Sequence, residues 1–223
     1  GYGLNLEALE HIISDGASLV ITVDCGISSY DIVEAVCDRI DIIITDHHTA
    51  PPQIPPARAV INHKQPDCPY TDKNLSGVGV AFKLCQALWL RQCGEWYLDD
   101  LDIVALGTVA DVVPLVGENR IIVQAGLKKM NELPNLGIDK LIDVAGLHDK
   151  TITAGHIGFT LAPRLNAAGR VTHATRAVEL LVTDDVDLAE TIAQELQETN
   201  MERQEIERSI HEEARANVAA QGH

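Results

Sequence analysis

The first 65 residues alternate between apolar runs and short polar segments. Residues 4–14 place leucine and isoleucine at helical spacing, and Asp15-Gly16 is a typical helix end. Three β-branched runs follow, at residues 18–23, 40–45 and 58–61. Continuous apolar runs of this length are typical of parallel strands that are buried on both faces. The pattern therefore predicts an α/β fold, with a parallel sheet flanked by helices, over this part of the chain.

Beyond Ser76 the apolar positions recur at helical spacing. Ser76 can cap a long helix that begins GVGVAFKLCQALWL. Further helices are predicted at about 99–110, 119–132, 137–145, 153–161 and 172–181. Residues 187–219 contain neither Pro nor Gly and carry a narrow apolar stripe, which predicts one long helix or two joined near Asn200. We therefore expect a mostly helical region and then a long C-terminal connector helix.

Composition limits the compartment and the association with membranes. The 223 residues are 46% hydrophobic and 22% charged, which is ordinary for a globular protein. No stretch reaches the roughly 18 apolar residues of a membrane helix, so we expect no contact with a membrane. The five cysteines form no CxxC pair, and we interpret them as the reduced thiols of a cytoplasmic protein.

The charge balance is strongly acidic. A net charge of −16, from 33 acidic and 17 basic residues, argues against a surface that binds nucleic acid by charge alone. Two interpretations remain. The acidic residues can form a solvated surface that keeps the protein soluble, or some of them can gather around divalent cations and so reverse the local charge. Composition alone does not separate these interpretations.

Two of the predicted strands end in side chains that can bind metals. Asp24 follows the first run, and Asp46-His47-His48 follows the second. Ligands bind at the carboxyl edge of open α/β sheets, and a mixture of carboxylate and imidazole groups there can hold a divalent ion. The alternative is that Asp46 caps a turn and that both histidines are ordinary loop residues with satisfied hydrogen bonds.

Asp111 adds a third carboxylate to this hypothesis. It lies in the apolar segment ALGTVADVVPL, where a carboxylate without a partner or a cation would be costly to bury. Gly107 and Pro114 bracket it, as expected for a helix end that turns towards a shared site. A helix N-cap or a buried, hydrogen-bonded aspartate is the alternative interpretation.

Five segments, taken together, resemble one known family. They are TVDCGIS at 22–28, TDHH at 45–48, SGVGVAF at 76–82, ALGTVADVVPL at 105–115 and PRLNAAGR at 163–170. In this order and spacing they are similar to the DHH phosphoesterase family, and within it to the bacterial exonucleases specific for single-stranded DNA. TDHH alone is weakly specific, whereas five ordered segments over about 150 residues form a strong pattern.

The resemblance implies a metal-dependent enzyme that hydrolyses phosphodiester bonds of single-stranded DNA, 5′→3′, in recombination and repair. Asp24 matches an aspartate that bridges two divalent ions, manganese or magnesium, and His47 and Asp111 match further metal ligands. His48 matches a histidine that lies against the substrate phosphate, and Asp46 would orient the neighbouring histidines. The expected partner is single-stranded DNA; protein partners in the repair machinery are not identified by these residues.

The segment PRLNAAGR predicts contacts with the substrate. Arg164 and Arg170 flank Asn166 in what reads as a loop with Gly169, and a guanidinium group is a natural partner for a phosphate oxygen. The resemblance implies that Arg164, Asn166 and Arg170 face the groove of the active site and bind the substrate backbone. The alternative is a helix C-terminus where arginine interacts with the last carbonyl groups.

The family pattern also implies parts that are not found in this sequence. The family opens with a strand that ends in Asp-x-Asp-Gly and supplies the remaining metal ligands. We expect residues 1–183 to form the DHH catalytic domain without that strand, and residues 184–223 to form a long helix that leads towards an absent DHHA1 domain. Such a chain should bind manganese weakly, at no more than one site, and should show no measurable nuclease activity alone.

Two other functions remain open. A DHH phosphoesterase that acts on short oligonucleotides or cyclic dinucleotides would share TDHH, although such relatives generally differ at ADVVPL and PRLNAAGR. A non-catalytic DHH scaffold that has lost its metals is disfavoured because Asp24, His47 and Asp111 are all present. Comparing the degradation of 5′-phosphorylated single strands with the hydrolysis of cyclic dinucleotides would separate the two enzymatic functions.

Overall fold

The computed structural model describes residues 3–171 and 174–220, without the side chains of residues 168–171, 216, 219 and 220. The chain divides into two compact units, Gly1–Ala125 and Gly126–His223. The predicted fold class is confirmed, because a parallel sheet with helices comes first, a helical region follows, and a long helix ends the described chain. No helix in the described ranges is long and apolar enough to cross a membrane.

The first unit is built on a parallel sheet with the strand order β1-β2-β3. The strands are Leu19–Val23, Asp41–Thr45 and Ala59–Ile61. Two short helices, α1 (Leu6–Ser14) and α2 (Tyr30–Glu34), precede β1 and β2 along the chain. The last residues of the three strands are in register, since Thr45 pairs with both Val23 and Ile61. The segments that follow β1 and β2 therefore begin at the same edge of the sheet.

The core of the sheet lies between one face of β2 and the two short helices. Ile42 and Ile44 point to the same side of the strand and are almost fully buried. They pack with Leu9 of α1, with Val33 of α2 and with Val36, two residues after the end of α2. Apolar side chains of α1, of α2 and of Val36 thus cover the strand that leads to the Asp-His-His triplet.

The opposite face of β1 differs from the sequence expectation. Its apolar run predicts burial on both faces, yet Leu19, Ile21 and Val23 are 46%, 46% and 52% exposed. This prediction is wrong for one face of β1, because these three side chains remain about half exposed while Thr22, on the opposite face, is 5% exposed. Only the face that meets the two short helices is well covered.

Three longer helices follow the sheet: α3 (Gly77–Cys93), α4 (Leu101–Ala110) and α5 (Gly117–Glu132). Ser76 caps α3 as predicted, because its hydroxyl accepts a hydrogen bond from the Gly79 amide at 3.1 Å. α3 contacts β1, β2 and α4. A second apolar core joins these helices; it consists of Leu75, Val80, Phe82, Val104 and Ile122. α4 is therefore linked to the sheet through α3.

The second unit is helical. After α5 come α6 (Leu136–Val144), α7 (Ala154–His156), a π-helical turn (Ile157–Leu161), α8 (Ala162–Val171), α9 (Thr175–Val182) and α10 (Val186–Ala220). α10 is one helix and not two, and it packs on α6 and α8. Its buried positions Ile192 and Leu196 end at Asn200, whereas Ile206 and Ile210 are 57% and 60% exposed. The first half of α10 therefore belongs to the core and the second half does not.

Residues 163–170 form most of helix α8, so the prediction of a loop there is wrong. A proline inside an α-helix clashes with the carbonyl group four residues earlier. Pro163 lies two residues after the π-helical turn, which ends with the Ala162 amide donating to the Ile157 carbonyl five residues back. The wider turn gives the proline ring room, so the chain stays helical where its Pro and Gly residues indicate a break.

A glycine in α6 tests how tightly the second unit packs. A Cβ atom added at Gly137 would lie 2.1 Å from the Leu180 carbonyl oxygen of α9. We expect Gly137→Ala to lower the free energy of unfolding by about 1–3 kcal/mol, because the backbone of α9 must move. The control is Gly155→Ala, where the added Cβ lies 3.6 Å from the Thr153 hydroxyl. It should leave stability unchanged or raise it by up to about 1 kcal/mol. Equal denaturation midpoints for the two variants would contradict this packing.

Candidate metal centre

Three segments of the first unit converge at the carboxyl edge of the sheet. Asp24 directly follows β1 and Asp46 directly follows β2, and the Asp24 amide donates to the Thr45 carbonyl at 3.0 Å. Asp111 arrives separately, as the residue that ends helix α4. The parallel register of β1 and β2 therefore places the first two segments side by side, and α4 brings the third.

His47 lies at the centre of this group. Its Nε2 atom is 3.1 Å from Asp24 Oδ1 and 3.5 Å from Asp111 Oδ2. The His47 side chain is 8% exposed, whereas those of Asp24 and Asp111 are 51% and 34% exposed. The structure thus brings together the three side chains predicted as metal ligands. The imidazole ring forms the buried floor of the site, and the two carboxylates form its partly open rim.

The His47 ring is held in the orientation that suits a metal ligand. Nδ1 lies 3.2 Å from the Leu75 carbonyl oxygen and donates its proton there. In the neutral ring Nε2 then carries the lone pair, and among the described residues it is buried without a hydrogen-bond partner. A buried nitrogen without a partner is costly. A cation between Nε2 and the two carboxylates would remove this cost, so the donor set fits a divalent ion.

His48 reaches the same space from the exposed side. One ligand atom each from Asp24, His47 and His48 lie within 4.8 Å of one another. Asp111 is outside that trio and joins the site through its approach to His47. The two histidine rings meet edge to face with centroids 4.5 Å apart, and the His48 side chain is 60% exposed. His48 is therefore placed either to bind a cation or to face a substrate.

Asp46 is the buried anchor beneath both histidines. Its Oδ1 atom accepts hydrogen bonds from the amides of His47 and His48, at 2.7 and 3.1 Å, and from His48 Nδ1 at 2.7 Å. Its Oδ2 atom accepts from the Ile27 amide at 2.9 Å. Asp46 thus orients the ring of His48 directly. For His47 it fixes only the backbone, while the ring is oriented by Leu75.

The electrostatics of the site follow from burial and from the crowding of carboxylates. Burial raises the pKa of Asp46, but the hydrogen bonds from Ile27, His48 and His47 outweigh it, and the pKa lies below its usual value. Asp24 is the main cause that raises the pKa of His47, and burial opposes it. Burial raises the pKa of Asp111, which the charge of His47 only partly offsets. The site therefore favours an added positive charge.

Backbone strain marks two of the three segments. Asp24 and Val112 have φ angles of 63° and 59°, and within the described ranges they are the two residues other than glycine with positive φ. This conformation is rare for a β-branched residue such as valine. Strained backbone of this kind persists only where the surrounding structure holds it, and it is frequent at functional sites. The strain here lies at Asp24 itself and directly after Asp111.

Gly77, at the start of α3, is needed by the position of Asp24. A Cβ atom at Gly77 would lie 2.2 Å from Asp24 Oδ1, so any side chain there would displace the carboxylate. In the neighbouring turn Ser76 Oγ is 2.9 Å from Thr108 Oγ1 and thereby ties α3 to α4, the helix that ends at Asp111. The SGVG segment therefore serves close packing around the carboxylates.

The residues predicted to bind substrate lie in the second unit, on helix α8. Arg164 donates from Nε to Gln197 Oε1 at 2.7 Å and from Nη1 to the Thr160 carbonyl at 2.5 Å. Asn166 is exposed, and the side chain of Arg170 lies outside the described residues. Burial lowers the pKa of the Arg164 guanidinium. The role of these three residues as substrate ligands stays a prediction.

Sequence patterns do not reveal two of the contacts that build this site. The carbonyl of Leu75 orients His47, but every residue carries a carbonyl group and none of them has a sequence signal. Ser76 is identifiable as a helix cap, whereas its contact with Thr108 depends on how α3 meets α4. The capping pattern at Ser76 is therefore the one sequence signal for this part of the site.

The sequence of the chain is similar to those of known proteins. Residues 4–108 match the DHH family, N-terminal domain. The chain is 43% identical over 223 residues to the single-stranded-DNA-specific exonuclease RecJ of Bacillus subtilis (strain 168), covering 100% of this chain and 28% of that protein. It is 42% identical over 228 residues to the RecJ of Escherichia coli (strain K12), covering 96% of this chain and 39% of that protein. The chain thus spans well under half the length of these curated relatives.

Solved structures are similar as well. A crystal structure of exonuclease RecJ bound to manganese matches with a TM-score of 0.85 and 34% identity, covering 94% of this chain and 53% of that chain. A structure of RecJ from Thermus thermophilus in complex with Mn²⁺ matches with a TM-score of 0.81 and 34% identity. The match covers 92% of this chain and 31% of that chain. The fold is therefore similar to that of solved structures that contain manganese.

Asp46→Asn tests the anchor beneath the histidines. The substitution replaces one buried acceptor oxygen with an NH₂ group that faces hydrogen-bond donors. We expect the free energy of unfolding to fall by about 2–4 kcal/mol, since bonds to a charged acceptor are lost and donors remain unpaired. The control, Asp41→Asn, changes an exposed residue at the start of β2 and should have an effect below about 0.5 kcal/mol. Equal destabilisation of both variants in urea would contradict the anchoring role.

Proposed function

We propose that the chain, whose residues 4–108 match the DHH family, N-terminal domain, carries the metal site of an exonuclease acting 5′→3′ on single-stranded DNA in recombination and repair. The observation that carries the proposal is His47 Nε2, which is buried beside the carboxylates of Asp24 and Asp111 and has no hydrogen-bond partner among the described residues. The similarity to RecJ structures that contain manganese supports the choice of metal.

Asp24, His47 and Asp111 are the proposed ligands of Mn²⁺ or Mg²⁺. Carboxylate oxygens suit both ions, and an imidazole nitrogen favours manganese of the two. Such an ion, when bound, polarises a phosphate oxygen and lowers the pKa of a coordinated water. The Asp24 side chain is 51% exposed, which supports the proposal that it bridges to a second ion.

His48 is proposed to face the phosphate of the substrate. Its Nδ1 atom lies on Asp46, so its Nε2 atom is on the far side of the ring from that carboxylate. The lowered pKa of Asp46 keeps this carboxylate ionised, and it therefore holds the His48 ring in one orientation. His48 is thereby prepared for a hydrogen bond to a phosphate oxygen.

Arg164, Asn166 and Arg170 are proposed to contact the DNA backbone. Among the described residues, the hydrogen-bond acceptors of Arg164 are the neutral groups of Gln197 and Thr160. An arginine keeps its proton even when burial lowers its pKa. Its positive charge is therefore not neutralised by these two contacts, which supports a role in binding phosphate. The net charge of −16 makes such local cations, together with bound metal, the expected means of holding DNA.

Domain roles and compartment complete the proposal. We propose residues 1–183 as the DHH catalytic portion and residues 184–223 as a connector, and the start of α10 at Val186 supports this boundary. All five cysteines are free thiols, which supports a reducing, cytoplasmic location.

Manganese binding by the 223-residue chain tests the metal site. By titration calorimetry we expect no more than one Mn²⁺ per chain. His47→Ala should weaken binding by at least about 100-fold, beyond the loss typical of residues that only support a ligand. The control is His148→Ala, an exposed histidine that pairs with Asp143 in the second unit, and it should leave affinity unchanged. Undiminished binding by His47→Ala would overturn the ligand assignment.

The exonuclease activity is tested in a longer protein. This chain aligns over its whole length with the Bacillus subtilis relative and can replace the corresponding segment there. We expect the chimera with Mn²⁺ to degrade 5′-phosphorylated single-stranded DNA, and Asp111→Ala to lower the rate by at least about 1,000-fold through loss of a metal ligand. Asp41→Ala is the control. A folded, manganese-binding chimera that cleaves cyclic dinucleotides and spares single strands would contradict the proposed substrate class.

A further inference from the structure

Asn119, in the first turn of α5, joins two segments that flank the metal site. Its side chain is fully buried, and Nδ2 donates to the Asn74 carbonyl at 2.6 Å and to the Pro114 carbonyl at 3.0 Å. Within the described residues its Oδ1 atom is buried without a partner. The reverse amide orientation would set an oxygen against two carbonyl oxygens, so the orientation is fixed. The two donated bonds are therefore the reason for an amide at this position.

Both carbonyl groups belong to segments that build the site. Asn74 immediately precedes Leu75, and the Leu75 carbonyl accepts a hydrogen bond from His47 Nδ1. Pro114 lies three residues after Asp111, and the strained Val112 lies between them. One side-chain amide therefore links the segment that orients the histidine to the segment that presents the second carboxylate.

Neighbouring contacts dock the start of α5 on the first of these segments. Asp72 accepts hydrogen bonds from the amides of Asn74 and Glu118, at 2.9 and 2.8 Å. A Cβ atom at Gly117 would lie 2.3 Å from Asp72 Oδ2, so the approach is close. These contacts hold the segment before Leu75, and none of them reaches Pro114. Asn119 supplies that second connection.

We propose that Asn119 is a positioning residue of the metal site, which holds Leu75 and Asp111 so that His47 Nε2 meets the carboxylates. The proposal rests on the proposed metal-dependent function, but it also has a consequence in the metal-free protein. Without the amide, the strained turn after Asp111 is free to relax and the Leu75 carbonyl is free to shift. His47 then loses the fixed acceptor that keeps the proton on Nδ1.

The ¹⁵N chemical shifts of the His47 ring test this proposal without metal. The pH of the measurement is set above the midpoint at which the His47 shifts themselves titrate, so that the ring is neutral and its two nitrogen shifts report the tautomer. In the unaltered chain we expect a protonated Nδ1 and a bare Nε2. In Asn119→Ala we expect the shifts of Nδ1 and Nε2 to move towards each other. The loss of the two Asn119 hydrogen bonds should reduce the population ratio of the two tautomers about tenfold. Asn119→Ser keeps one donor and should give an intermediate shift.

The matched control is Asn131→Ala. Asn131 also donates to two carbonyl groups, those of Leu127 and Ile152, at 2.7 and 3.0 Å, but it lies in the second unit. Its loss should cost stability and leave the His47 shifts unchanged. Unmoved His47 shifts in Asn119→Ala would overturn the proposal, and so would equal movement in Asn131→Ala. If Asn119→Ala fails to fold, the serine variant decides by the same criterion.

Manganese affinity supplies the second measurement. Asn119→Ala should raise the dissociation constant for Mn²⁺ by about 10-fold or more, as is typical for residues that support a ligand, with one ion still bound at saturation. Asn131→Ala should not. If the unaltered chain binds no manganese, the proposed metal site fails, while the His47 shifts still decide whether Asn119 positions the ring.

Discussion

The burial of His47 determines the chemistry of the sheet edge. A neutral imidazole has one nitrogen that donates and one that accepts. The Leu75 carbonyl accepts a hydrogen bond from Nδ1–H. The accepting nitrogen, Nε2, therefore faces the carboxylates of Asp24 and Asp111, which have nothing to donate when ionised. A positive charge must lie among these three groups, either as a proton or as a metal ion. A divalent ion satisfies both carboxylates and the nitrogen at once, which a single proton does not.

The rest of the first unit holds these like charges close together. Asp24 adopts a positive φ, and the start of α3 approaches its carboxylate so closely that only Gly77 fits. Residues in such conformations cost about 1–3 kcal/mol each. The parallel register of β1 and β2, the hydrogen bonds into Asp46 and the Ser76–Thr108 contact oppose this cost from three directions. These contacts therefore hold together a site that the repulsion between its carboxylates and the strain of its backbone would otherwise open.

Much of this arrangement can be predicted from the sequence, for a physical reason. Parallel strands end at a common edge, so an aspartate after one β-branched run and an Asp-His-His triplet after the next must lie near each other. Asp111 is predictable because a carboxylate in the apolar segment ALGTVADVVPL needs a partner. Helix ends such as Ser76 follow from capping rules. Each of these signals is a polar side chain that needs a partner, and only a particular local structure supplies that partner.

The parts that the sequence does not predict depend on backbone groups and not on the chemistry of a particular side chain. The acceptor that fixes His47 is a carbonyl group, and so are the two acceptors of Asn119, and a carbonyl is the same at every residue. The helix at 163–170 depends on a π-helical turn, which is also a backbone adjustment and overrides the signal of Pro163. In the sequence a buried asparagine such as Asn119 cannot be distinguished from any other helical asparagine, because its carbonyl partners are not visible there. The ligands of a site can thus be inferred from residue types. The residues that position those ligands can be recognised only from the structure, which shows which side-chain donors bind which carbonyl groups.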